Sequence, residues 1–310
     1  MVRATEYLPR GPAHTKMEKF MSQTHGFEEM YYRAPDGLRL YYRQYNARAT
    51  GTPVFCLPGM TRNSRDFRAL AENLSGWGRR VICPDLRGRG KSHYDPRHEN
   101  YHPGTYVQDI LKLADDLDFT KIIIIGTSLG GLIAMSIAAL RPRLLAGVVL
   151  NDIGPQVAAE GLARIRTYVG KAKEESSWQD AALTVKNINK RFFPTYTDDM
   201  WMELAHNTYR ENDEGLIVAD YDPAIAAAFD DDEKAVPAGD PWALMEGLAN
   251  VPVLLCHGLL SDILTPAIVE RMKQLKPDLK VVSLPDTGHV PLLTESECLK
   301  ALKAWCALTP

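Results

Sequence analysis

The stretch KIIIIGTSLGGLIAM, Lys121 to Met135, decides how this chain is read. Four consecutive isoleucines form a β-branched apolar run suited to a strand covered on both faces. The run enters Gly126-Thr127-Ser128-Leu129-Gly130 and passes directly into an apolar helical stretch. Gly126 and Gly130 let strand and helix approach closely around a tight turn. Ser128 is thereby pushed out of the sheet at a helix N-terminus, where N–H groups and the helix dipole favour negative charge. G-x-S-x-G between a strand and a helix is the arrangement of a nucleophile elbow, whereas the same five residues elsewhere would be a glycine-rich turn with a capping serine.

Working outward, short apolar runs recur at Pro53–Leu57, Arg80–Cys83, Lys121–Ile125, Ala146–Leu150, Val251–Cys256 and Lys280–Leu284. Helical patterns lie between or beside them at Ser64–Leu74, Tyr106–Leu117, Leu129–Leu140, Ala267–Leu275 and Glu297–Ala307. This alternation predicts an α/β fold: a mostly parallel central sheet with right-handed crossovers and helices on both faces. Ahead of it, Asp36-Gly37 between two aromatic-rich alternating runs predicts a β-hairpin. The alternation breaks once, from about Pro155 to Asp240, where only amphipathic stretches rich in Trp, Tyr and Phe occur. Residues 155–240 are therefore expected to form an all-helical cap inserted into a core of residues 21–154 and 241–310. Residues 1–20 show no periodicity and read as a disordered arm or tail, with nothing in their pattern that builds a core.

The 310 residues carry 36 Lys+Arg against 39 Asp+Glu, a net charge of −3, which gives no field to gather nucleic acid. No run approaches the length of a membrane span, and the first twenty residues lack the apolar core of a secretory signal. The five cysteines sit mostly in apolar runs, as reduced core residues do. A cytoplasmic location is expected, with a small-molecule substrate as the partner, no nucleic acid and no membrane; a homo-oligomer is compatible with the sequence.

The elbow resembles that of the α/β-hydrolase fold superfamily, serine hydrolases with a helical cap. The likeness extends through "PVFCLPGM", "VICPDLRGRGKS", "VVLNDIGP", "PVLLCHGLLSDILTP" and "LPDTGHVPLLTE", from about Phe27 to Ala307. A serine needs a base to take its proton and a third group to orient that base. His289, on the loop after the last strand, is the expected general acid/base. Asp262, beyond the preceding strand, is the expected orienting acid, in the chain order Ser, Asp, His common to this fold. Asp152, at the end of "GVVLND", is the alternative, and Asp286 reads as turn chemistry. The resemblance implies an oxyanion hole of the Met60 and Leu129 N–H groups, with Pro58 standing where His is commoner.

Other motifs carry less. "DLRGRGKS" lacks the spacing of a phosphate loop, and Arg87 is expected to order neighbouring loops. His98-Glu99-Asn100-Tyr101-His102 matches a zinc-protease pattern, but Pro96 and Pro103 flank it and deny it a helix interior. His257 reads as a strand-end residue. No metal and no organic cofactor are expected. Phe192, Phe193, Tyr196, Trp201 and Trp242 are candidates for a cleft between cap and core, although aromatic residues at helical spacing more often build core. Together these readings predict hydrolysis of a small, uncharged, partly hydrophobic carboxylic ester or lactone through an acyl-enzyme. Hydrolysis of a carbon–carbon bond in a diketone-like substrate is the alternative within enzymes, and a non-catalytic receptor is the alternative outside them.

Overall fold

The computed structural model describes residues 18–20, 26–227 and 239–309. Residues 1–17 of the expected arm, and 228–238 of the expected cap, lie outside these; Glu18–Phe20 forms strand β1, antiparallel to β2 (Glu28–Arg33). The hairpin expected at Asp36-Gly37 joins β2 to β3 (Arg39–Tyr45), with Met30 opposite Tyr42 and Gly37 at φ 89°.

Strands β4 (Val54–Leu57), β5 (Val81–Pro84), β6 (Ile122–Thr127), β7 (Leu145–Asn151), β10 (Val253–Gly258) and β11 (Lys280–Leu284) follow the six apolar runs. Among the described residues the sheet has nine strands in the order β1-β2-β3-β5-β4-β6-β7-β10-β11, parallel from β5 through β11. β6 is central, and its four isoleucines are fully buried, each contributing roughly 1.5–3 kcal/mol of apolar burial. Helices α2 (Pro103–Asp116) and α3 (Leu129–Leu140) build one apolar layer with Ile124, Ile133 and Ile137. Helices α1 (Arg68–Gly76) and α9 (Ser296–Ala307) build the other, which includes all five cysteines, free and buried.

Between β7 and β10 the chain forms α4 (Ala159–Tyr168), α5 (Trp178–Asn189), α6 (Asp198–Thr208), a short antiparallel hairpin of β8 (Tyr209–Glu211) and β9 (Ile217–Ala219), and the single turn α7 (Leu244–Gly247). The described part of the insertion is thus mostly helical but not wholly so. Two three-residue strands fall below the length at which an alternating pattern can be recognised. The insertion has its own aromatic core of Phe192, Phe193, Trp201 and Tyr209. After β10 comes α8 (Pro266–Leu275). Among the described residues no helix is long and apolar enough to cross a membrane.

Candidate active site

β6 delivers Ser128 and α3 begins at the next residue. A Cβ on Gly126 would stand 2.4 Å from the Gly130 carbonyl oxygen, and one on Gly130 would stand 2.2 Å from that of Leu57. Only hydrogen fits at either place, which is why both glycines are there. Ser128 itself lies at φ 51°, ψ −115°, a conformation that turns its side chain out beyond the C-terminal end of β6.

His289, on the loop after β11, faces Ser128: Nε2 is 3.0 Å from Oγ. Its Nδ1 is 2.8 Å from Oδ2 of Asp152, a fully buried carboxylate whose Oδ1 accepts the Gly258 N–H at 3.0 Å. With Asp152 accepting at Nδ1–H, the Nε2 lone pair is turned to the serine hydroxyl. Asn151, unnoticed in the sequence, donates to the Pro291 carbonyl at 2.9 Å and ties the end of β7 to the histidine loop.

The expectation for Asp262 is therefore corrected. Its carboxylate receives Arg164 of α4 at 2.5 and 2.8 Å, with Arg191 at 3.7 Å. Asp262 stands four residues beyond Gly258, and the turn closed by Ser261 N to Gly258 O carries it toward the insertion. Asp152 follows β7 directly, and β7 lies beside β6 in the sheet. Burial works to raise the Asp262 pKa, but the Arg164 hydrogen bonds and charge outweigh it and hold the carboxyl below its ordinary value.

Leu129 opens α3, so its N–H has no intrahelical acceptor. Gly59 runs against Ser128, since a Cβ there would lie 3.7 Å from Ser128 Cβ, and Met60 lines the same cavity. The Met60 carbonyl accepts Arg89 Nε at 2.7 Å. Arg89, fully buried, also donates to the Arg87 carbonyl and Tyr106 hydroxyl and so fixes the loop after β4. Arg87 is held by Asp36, Asp95 and Asp109, a structural hub as its loop position suggested.

A family model described as the alpha/beta hydrolase fold matches residues 52–296. The 3-hydroxybutyrate-oligomer hydrolase of Cupriavidus necator is 32% identical over 269 residues, covering 84% of this chain and 91% of that protein. The chain belongs to the α/β-hydrolase fold family. The crystal structure of an alpha/beta hydrolase from Novosphingobium aromaticivorans superposes with a TM-score of 0.87 at 39% identity, covering 92% of this chain and 99% of that one. The 2-(acetamidomethylene)succinate hydrolase of Mesorhizobium japonicum is 28% identical over 242 residues, 78% of this chain and 83% of that protein. This chain is accordingly a hydrolase.

The cavity of this α/β hydrolase has a volume of about 470 Å³, within the range of small-molecule sites. Ser128, His289, Gly59 and Met60 form its floor, and Ile165, Tyr168, Val185 and Phe193 come from the insertion. Of the five expected aromatic residues, Phe193 and Tyr196 line it. Phe192 instead lies under Arg164 and Arg191, against Gly288. Trp201 is buried in the insertion's own core, and Trp242 is covered by Arg271 with its indole N–H on Gln156. Helical spacing places these rings on an apolar face without saying which neighbour that face meets.

The remaining motifs resolve into structural work. His98–Asn100 is one 3-10 turn, and His102 caps α2 by accepting the Gly104 N–H at 3.0 Å. His257 is buried at the end of β10 with Nε2 2.9 Å from the Leu264 carbonyl. Asp286 is exposed in a turn.

Proposed function

We propose that this chain is a serine ester hydrolase in which Ser128 attacks, His289 relays the proton and Asp152 orients the histidine. The observation that carries the reading is the continuous contact from Ser128 Oγ through His289 to Asp152, at 3.0 and 2.8 Å. In it His289 Nε2 removes the hydroxyl proton as Oγ bonds to the ester carbonyl carbon. The tetrahedral oxyanion is received by the N–H groups of Met60 and Leu129. His289 then returns the proton to the leaving alkoxide, the alcohol departs, and water attacks the acyl-enzyme by the same relay in reverse.

The described insertion, from α4 through β9, acts as the cap that walls the substrate. The substrate class is a small carboxylic ester, in keeping with the 3-hydroxybutyrate-oligomer hydrolase activity named for the Cupriavidus relative. The test is a panel of nitrophenyl esters on wild type and Ser128→Ala. Turnover is expected in the wild type alone; undiminished turnover in the variant would remove Ser128 from the mechanism.

A further inference from the structure

Arg62 lines the same cavity as Ser128 and His289 but stands outside the relay between them. Its guanidinium has five N–H donors. Nε and Nη2 reach the two oxygens of Asp66 at 2.8 and 2.5 Å, and Nη1 reaches the Thr208 hydroxyl oxygen. That hydroxyl spends its own proton on the Leu204 carbonyl at 2.6 Å. Two donors remain, one on each terminal nitrogen, with no acceptor among the described residues. The side chain is only 18% exposed, so a ligand oxygen would relieve donors that bulk water reaches poorly.

Charge points the same way. The cavity wall carries Arg62, Lys171 and Lys173 against Asp66 and Glu175. Asp66 is committed to Arg62, and Glu175 accepts the Thr184 hydroxyl at 2.7 Å. Arg62 and Asp66 cancel, and the exposed Lys171 and Lys173 outnumber Glu175 by one, so the wall has an excess of one positive charge in a chain of net charge −3. Arg62 is also fixed relative to the reacting atoms, because its N–H closes a turn on the Gly59 carbonyl at 3.2 Å and Met60 lies within that turn.

We propose that Arg62 is a specificity-determining residue, whose two unused N–H groups take the carboxylate of a substrate with its ester bond at Ser128. The inference rests on reading the cavity as an ester-hydrolase site. A guanidinium holding one carboxylate side-on still offers donors to a second, a geometry that a lysine ammonium does not reproduce.

The test compares matched anionic and neutral esters: monomethyl glutarate with methyl hexanoate, and 3-acetoxybutyrate with its amide. The first pair puts the carboxylate on the acyl part and the second on the alcohol part. The expected result is a kcat/KM about tenfold or more higher for the anionic member of one pair, carried by KM. Arg62→Gln should bring that ratio close to one, and Arg62→Lys should keep part of it. Equal rates within both pairs in the wild type, or an unchanged ratio in Arg62→Gln, would overturn the proposal. Should Arg62→Gln fail to fold, competitive inhibition of the wild type by glutarate but not glutaramide supports the assignment, and equal inhibition defeats it. If the wild type cleaves none of the four esters, the ester-hydrolase reading has failed by itself, and calorimetric binding of glutarate still decides the Arg62 subsite.

Discussion

Ser128 is held at φ 51°, a backbone state that costs about 1–3 kcal/mol and persists only where its surroundings enforce it. Gly126 and Gly130 enforce it by letting β6, α3 and the end of β4 touch through their backbones. Gly130→Ala would drive a methyl group to 2.2 Å from the Leu57 carbonyl oxygen. The expected outcome is a loss of stability of 3 kcal/mol or more, or no folded protein, read by thermal unfolding. The orienting acid makes a second prediction. Asp152→Asn should lower kcat by about 10⁴-fold, whereas Asp262→Asn should lower it less than about tenfold, because the Asp262 carboxylate is hydrogen-bonded to Arg164 while His289 Nδ1 is bonded to Asp152; steady-state kinetics with the reverse ranking would restore Asp262. The elbow was legible because glycine spacing and an isoleucine run are local facts. The acid was not, because both aspartates follow strand ends, and what separates them is the register of two loops and the presence of Arg164.

Helix α4 is fastened to the loop after β10 by the Asp262–Arg164 pair, by Ala158 N to Ile263 O at 3.0 Å, and by Gly161, where a Cβ would meet the Asp262 carbonyl oxygen at 2.5 Å. Asp262 is held below its ordinary pKa. Its contribution to stability is therefore complete above the ordinary carboxylate value, about 3.9, and is lost as pH falls through the lower folded value. Asp262→Asn should cost about 1–3 kcal/mol near neutrality. The difference in Tm from the wild type should hold between about pH 7 and 5 and shrink below about pH 4; a difference that widens on acidification would contradict this account. The core strands were readable because burial on both faces leaves an unbroken apolar run. The insertion was readable only as amphipathic segments: β8 and β9 are too short to show a period, and the split of its aromatic residues between core and cavity depends on packing across helices. Arg62 gave no signal beyond its place two residues after Met60.

At the scale of the molecule, the parallel sheet presents Ser128, the proposed nucleophile, while the cavity beside it is lined both by core residues such as Arg62 and by residues of the insertion. Val185 of α5 faces the cavity of about 470 Å³. Val185→Trp should fill part of that space and lower kcat/KM for a hexanoate ester about tenfold more than for an acetate. Equal loss on both would place Val185 outside the acyl and alcohol subsites. Near-neutral net charge, uninformative about the reaction when taken alone, coexists with a cavity wall of one excess positive charge that only the folded arrangement brings together. The central claim, that Ser128 is the nucleophile activated through His289 and Asp152, is tested most directly by intact-mass and peptide analysis after treatment with a nitrophenyl phosphonate. The account predicts a single adduct on Ser128, absent in Ser128→Ala and formed orders of magnitude more slowly in Asp152→Asn. An adduct on another residue, or equal labelling of the wild type and Asp152→Asn, would contradict it.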